Sequence, residues 1–279
     1  MSTDRVFQWQ RLASNRWADA WEERLRALVG AQRVVLISRP GQRFVQLHAY
    51  GLSRREAESL TKNFGGKFRS QVKVDWTKQE PQRAPLKISN RLRVVWTEKA
   101  WRENQGEAIP TLLIPASVAF GTGEHATTAM CLRILASKIR QTPRLLDVGC
   151  GSGILGLAGK IFGASESQAV DFDPLAVKAA RENARRNGIR MRVTQSDVLK
   201  HELPTGPFDW ICANLFLEVL LATLPKFRSA LAPEGHLLCS GVFRIQEEEL
   251  IQAASECRLE LHEKKERGRW AALLFRKIS

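Results

Sequence analysis

At 279 residues with 44% apolar side chains, the chain is long enough for one large or two modest globular domains with real cores. Five cysteines, an odd number without paired spacing, argue against a disulfide framework, and no C-x-x-C pair or His/Cys cluster suggests a metal site. The opening MSTDRVFQWQR has no apolar signal core, and the most apolar segment, LFLEVLLATL at 215–224, is short and interrupted by Glu218, so a cytoplasmic protein without a membrane span is expected. The formal charge of +14 is uneven: residues 1–110 hold 21 Lys/Arg against 11 Asp/Glu, and residues 111–279 hold 22 against 18. The excess suggests an anionic partner or RNA close to the N-terminal region, with a basic solvated surface as the equal alternative.

In chain order, residues 4–11 (DRVFQWQR) alternate as a short strand. Trp17, Trp21, Leu25 and Leu28 then recur at helical spacing, started by Ser14 or Asn15 and stopped by Gly30, and the two tryptophans read as core. RVVLIS and RFVQLHAY flank an Arg-Pro-Gly-Gln turn and predict a hairpin. Ser53 with Glu56 three residues later is a capping box, and Gly65-Gly66 ends the helix it opens. KFRSQVKVDW alternates again. The order β-α-β-β-α-β is the split ferredoxin-like unit, and without an evident catalytic residue it reads as a recognition domain over residues 1–76.

Residues 77–90 (TKQEPQRAPLKISN) are polar with two prolines and read as a linker, within a connecting segment that runs to residue 110. The apolar IPTLLIPA leads to VAFGTGEHATTAM, where Gly121 and Gly123 make a tight loop before a helix over 126–139. From residue 144, strands alternate with helices, which predicts a parallel sheet. RLELHEKKERG and WAALLFRKI close the chain as two successive strands, so residues 111–279 form the second domain. Cys131, Cys150, Cys212 and Cys239 sit in apolar segments, as buried thiols do.

The stretch that organises this domain is LLDVGCGSGILGLAG at 145–159, read with AVDFDP at 169–174. An apolar strand runs into Gly149, Gly151 and Gly153 and then into a helical pattern. Glycines let the backbone turn sharply and let a ligand lie on bare main chain, while a helix start offers unpaired N–H groups. The pattern G-x-G-x-G, preceded by Asp147, differs from the dinucleotide G-x-G-x-x-G. Asp171, at the end of the next strand, is placed to accept from ribose hydroxyls. Asp173 before Pro174 reads as an N-cap. Asp197 is either an acceptor for an adenine amino group or a solvated turn residue. Asn214, ending the fourth strand, either points a carbonyl oxygen at a reacting nitrogen or caps the following helix.

The stretch D-V-G-C-G-S-G resembles motif I of the class I S-adenosylmethionine-dependent methyltransferases. Over roughly residues 95–245, VAFGTGEHATT, LLDVGCGSGILGLAG, VDFDPLAV, ENARRNG and ANLFLEVL together resemble the ribosomal protein L11 methyltransferases. That resemblance implies an α/β fold with a seven-stranded, mostly parallel sheet closed by an antiparallel hairpin, preceded by a small α+β ferredoxin-like domain that grips the substrate. It implies S-adenosylmethionine as cofactor and methylation of amino groups of a large-subunit ribosomal protein. Carried over residue by residue, it makes Thr128, Gly149, Asp171 and Asn214 cofactor contacts, with Gly151 and Gly153 completing the glycine turn and Asn214 also the catalytic residue. The family's Glu-Pro-Gly-Met before the loop reads Pro115-Ala116-Ser117-Val118 here, which puts substrate identity in doubt.

Methyl transfer from a sulfonium is an in-line displacement that needs an aligned, neutral amine and no acid for the leaving group. Phe120, Leu215 and Phe216 would wall the amine pocket and Asn214 would orient the lone pair. His125 reads as ordering the Thr127/Thr128 turn. Two other enzymes are rivals: a lysine methyltransferase of another protein, such as an electron-transfer flavoprotein subunit, and a nucleic-acid adenine methyltransferase. The second usually carries Asn/Asp-Pro-Pro-aromatic where this chain has Asn214-Leu215-Phe216. The rival from a different class is a non-catalytic ribosome or RNA-binding factor.

Overall fold

The computed structural model describes residues 5–14, 21, 24–25, 28–30, 33–37, 43–72, 84–115 and 122–278. The chain divides into two units, residues 1–81 and 82–279. In the first, β1 (Arg5–Ser14), β2 (Val34–Ile37), β3 (Phe44–Leu52) and β4 (Lys67–Val72) form a sheet in the order β2-β3-β1-β4, every neighbouring pair antiparallel. Helix α1 (Arg54–Phe64) connects β3 to β4. Strand alternation sends Trp9, Ala13, Val45 and Leu47 to one face, where they pack with Leu25, Ala57 and Leu60. The Ser53 hydroxyl accepts from Glu56 N–H at 3.3 Å and the Glu56 carboxylate accepts from Ser53 N–H at 2.7 Å, the reciprocal capping box. The helix ends where Gly65 N–H donates to the Thr61 carbonyl.

The expected first helix differs in its buried face. Trp21 packs edge-on against Phe64 at 5.6 Å and Leu25 and Val29 are buried, whereas Leu28 is 54% exposed. The apolar stripe therefore runs 21–25–29, four residues at a time. Trp17 and the Arg-Pro-Gly-Gln turn lie outside the described residues.

In the second unit, β5 (Leu86–Ile88), β6 (Leu92–Val95) and β7 (Thr111–Leu113) form a small sheet, with α2 (Glu98–Glu103) between β6 and β7. Leu86–Ile88 falls within the stretch read as linker. Its pairing with β6 supplies an order that three residues cannot advertise through alternation. After α3 (Ala126–Lys138), the chain alternates through β8 (Arg144–Val148), α4 (Ile154–Phe162), β9 (Glu166–Asp171), α5 (Pro174–Arg186), β10 (Arg192–Gln195), β11 (Phe208–Asn214), α6 (Leu217–Ala230), β12 (Leu231–Phe243) and α7 (Glu247–Glu256). It closes with β13 (Leu259–Arg267) and β14 (Trp270–Lys277).

These strands form one sheet in the order β10-β9-β8-β11-β12-β14-β13, parallel except where β14 runs antiparallel to β12 and β13. Successive residues of each strand feed two cores. Leu145, Trp210, Cys212 and Leu238 pack under α3 and α4, while Leu146, Ile211, Ala213 and Leu237 pack under α6 and α7. Of the thiols, Cys131, Cys150, Cys212 and Cys239 are buried. Desolvation pushes the Cys131 thiol up to about 12, so it behaves as a small neutral apolar group. Among the described residues no helix is long and apolar enough to cross a membrane.

Candidate active site

Strand β8 has β9 on one side and β11 on the other, so the connections leaving it diverge beyond its carboxyl end, where such sheets hold ligands. The chain leaves β8 through Gly149 (φ +65°), Gly151 (φ +53°) and Gly153 (φ +79°), left-handed conformations that glycine adopts without strain. Gly149 and Cys150 N–H groups donate to the Val170 carbonyl at 2.9 and 3.1 Å, tying the turn to the end of β9. Gly153 then precedes the first residue of α4.

Asp171 is the bracket of this turn. Its Oδ2 accepts from Gly151 N–H at 2.9 Å and its Oδ1 from Asp173 N–H at 3.0 Å, and the side chain is buried. A carboxylate offers about four lone-pair sites, so two remain for a ligand's hydroxyls. Asp173 does what its place before a proline implies: its Oδ1 accepts from Leu175 N–H at 2.8 Å and caps α5.

Asp147 lies beneath the turn. Its Oδ2 accepts from Gly156 N–H at 2.9 Å, clamping α4 to the end of β8. Burial pushes its carboxyl up to about 7; the Gly156 hydrogen bond opposes the shift and the nearby Asp171 charge adds to it. Asn183 Nδ2 donates to the Ser152 carbonyl at 3.0 Å and fastens α5 to the same turn. Sequence reasoning gave Asn183 no role, because a helical asparagine inside a polar run carries no signal of its own.

On the other side of β8, Asn214 at the end of β11 donates from Nδ2 to Thr128 Oγ1 at 3.3 Å. Thr128 is fully buried in the first turn of α3. One residue earlier, Thr127 Oγ1 lies 2.8 Å from His125 Nδ1, so His125 orders the turn as the sequence suggested. The His125 ring also meets Trp270 edge-on at 4.9 Å, and Trp270 stacks on Phe243 at 4.5 Å. These two aromatics come from the last strands and were invisible in the sequence, because only the β12–β14 register brings them here.

Leu215 joins the two halves. Its N–H donates to the Ser240 carbonyl at 3.0 Å, and its side chain rests on Gly149, where an added Cβ would lie 2.2 Å from Leu215 Cδ2. Of the residues expected to wall the amine pocket, Leu215 is thus packed on the glycine turn and Phe216 is 73% exposed, so neither encloses one. Phe120 and Gly121 lie outside the described residues. Asp197 accepts from Leu199 N–H at 3.1 Å and pairs with Lys200 at 3.1 Å; the Lys200 hydrogen bond is the chief cause holding its carboxyl below the usual range. Those contacts are the ones a turn residue makes.

The structure therefore places these positions at the carboxyl ends of the neighbouring strands β9, β8 and β11. Gly151 bonds Asp171, Asn214 bonds Thr128, Leu215 carries the contact from Asn214 to Gly149, and Gly153 stands at the helix start.

A sequence profile described as "Ribosomal protein L11 methyltransferase (PrmA)" matches residues 45–278. A relative from Symbiobacterium thermophilum named ribosomal protein L11 methyltransferase is 39% identical over 193 residues, 69% of this chain and 62% of that protein. One of the same name from Thermoanaerobacter pseudethanolicus is 35% identical over 242 residues, 84% of this chain and 73% of that protein. The chain thus spans somewhat less than two thirds of the first relative's length. Among solved structures, a ribosomal protein L11 methylase from Lactobacillus delbrueckii subsp. bulgaricus superposes with a TM-score of 0.63 at 30% identity, covering 70% of this chain and 99% of that one.

Proposed function

The chain belongs to the ribosomal protein L11 methyltransferase family, whose α/β fold is of the class I methyltransferase type, and from that premise we propose that it moves a methyl group from S-adenosylmethionine to amino groups of a ribosomal protein. The substrate is the large-subunit protein L11, methylated on lysine side chains or its N-terminal amine, in the cytoplasm. Residues 1–76 serve as the ferredoxin-like recognition domain, 77–110 as the connection and 111–279 as the methyltransferase domain. The strand order β2-β3-β1-β4 supports the first assignment.

The observation that carries this reading is Asp171 tied to Gly151 at the end of β9, with Asn214 held against Thr128 at the end of β11, on either side of β8. The residues fit an adenosyl sulfonium. Asp171 keeps acceptor sites for two ribose hydroxyls after its two backbone bonds. Gly149 and Gly153 are packed against Leu215, Met191 and Ala180, so the bare backbone left for the ligand is that around Gly151, whose N–H is held by Asp171. When bound, the cofactor supplies an electrophilic methyl group on sulfur.

The protein's part is to bring a neutral amine in line. A lysine with a pKa near 10.4 is neutral about once in 2,500 molecules at pH 7, roughly 4.6 kcal/mol against reaction. Desolvating the amine as the substrate docks would lower that cost without a dedicated base. Asn214 spends its amide N–H on Thr128, which leaves its carbonyl oxygen to accept from the amine and direct the lone pair. Asn214→Ala tests this. Turnover is expected to fall about a hundredfold, the cost of a misplaced reactant, while cofactor binding measured by calorimetry survives. Full turnover with intact cofactor binding contradicts the role.

A further inference from the structure

The first unit carries a second surface, independent of the methyl-transfer site. In its sheet Trp9, Ala13, Val45 and Leu47 face the core, so the alternate residues of β1 and β3 face the other way. On that open face Phe44 is 58% and Leu12 63% exposed. Along β3 at two-residue spacing, Phe44 is followed by Gln46, His48 and Tyr50; the buried His48 ring backs the Tyr50 ring nearly parallel, 5.8 Å apart with 10° between planes. Arg69 on β4 reaches over β1 to Gln8 Oε1 at 3.0 Å, and Gln8 Nε2 lies 3.1 Å from His48 Nδ1. Lys67 and Arg69 are exposed on the same strand.

The charge is one-sided. The four strands contain no aspartate or glutamate, and Lys67 and Arg69, the cross-strand neighbours of Gln10 and Gln8, lie on the open face, whereas Arg11 lies on the core side with Trp9 and Ala13. The acids of the neighbouring helix, Glu56 and Glu58, belong to an element that packs on the core face, and each is paired with an arginine.

We propose that this open sheet face binds single-stranded RNA, bases stacking on Phe44 and Tyr50 and phosphates meeting Lys67 and Arg69. A four-stranded antiparallel sheet that shows aromatic rings on its central strand β3 beside cations is suited to splayed bases, because every base has a π-face and every linkage a negative charge. An acidic protein surface would satisfy the cations but not the stacked rings. Phe44 is solvent-exposed, so truncating it leaves the core intact.

The test is fluorescence anisotropy of a short labelled single-stranded RNA of mixed sequence with the full chain at low salt, without S-adenosylmethionine. The wild type is expected to bind, and to bind duplex RNA of the same length more weakly. Phe44→Ala is expected to weaken binding about tenfold, the loss of one stacking platform. Lys67→Gln with Arg69→Gln is expected to lower the slope of log affinity against log salt by about 1.4. Near-ultraviolet circular dichroism checks that each variant keeps its fold. No binding at low salt, equal affinity for duplex, or an unchanged affinity in folded Phe44→Ala overturns the proposal. So does a Phe44→Ala variant that binds RNA normally but loses the ribosomal protein, which would make the face a protein-docking surface. The RNA outcomes are distinct from a failure of the methyl-transfer reading, which is read by cofactor binding in the other unit.

Discussion

Replacing Asp171 with asparagine keeps the side chain's shape and removes what it does. Both carboxylate oxygens are engaged in the native chain, Oδ2 by Gly151 N–H at 2.9 Å and Oδ1 by Asp173 N–H at 3.0 Å. An amide has one acceptor oxygen, so one of those N–H groups would face an NH2 donor. Hydrogen bonds to a charged acceptor contribute about 1.5–3 kcal/mol, and an orphaned buried donor costs about 1–3 kcal/mol. A destabilisation of roughly 2–3 kcal/mol follows. In a protein of this size that lowers the melting temperature by about 5–10 °C.

Affinity should suffer separately. Losing charged acceptors for the ribose weakens S-adenosylmethionine binding about a hundredfold, near 2.7 kcal/mol. Ligand at 100 times the wild-type Kd stabilises the native protein by about 2.7 kcal/mol but the variant by only about 0.4 kcal/mol. Differential scanning fluorimetry with and without ligand reads both effects, and calorimetry gives the Kd directly. Asp171→Asn binding within twofold of wild type would refute the assignment of Asp171 to the ribose.

Gly149→Ala places a methyl at φ +65° and 2.2 Å from Leu215 Cδ2. The left-handed strain alone is about 1–2 kcal/mol; adding Leu215→Ala should relieve the contact but not the strain. Urea unfolding of the single and double variants separates the two, and equal stability of Gly149→Ala and wild type would contradict the packing described. Asp147 gives a pH signature. Its folded carboxyl is raised to about 7, against about 3.9 unfolded. The unfolded chain therefore holds fewer protons between those values, and the group's contribution is full below about pH 4 and lost as pH rises through 7, of the order of 4 kcal/mol. Stability measured from pH 4 to 8 should fall along that limb in wild type and flatten in Asp147→Asn; identical profiles would contradict it.

The legible parts of the sequence were those where one residue type answers to one local constraint. Ser53 and Glu56 announced their helix because a capping box is local in sequence. Gly149, Gly151 and Gly153 announced the turn because each needs a positive φ. Asp173-Pro174 announced a helix start. What stayed hidden depends on contacts between distant segments. The strand at Leu86–Ile88 exists through its pairing with Leu92–Val95. Trp270 reaches His125 only through the last strand's register, and Leu215 turns onto Gly149 because the chain there is pinned to Ser240. The exposure of Leu28 shows the same limit, since helical spacing alone does not choose between it and Val29.

The most direct measurement is to incubate the chain with methyl-labelled S-adenosylmethionine and purified ribosomal protein L11, then map the label by peptide mass spectrometry. Label on lysine side chains or the terminal amine, strongly reduced with Asp171→Asn at cofactor concentrations near the wild-type Kd and with Asn214→Ala, is the result that agrees with a sulfonium held at the glycine turn. An unlabelled protein, or label on a group other than an amine, would contradict it.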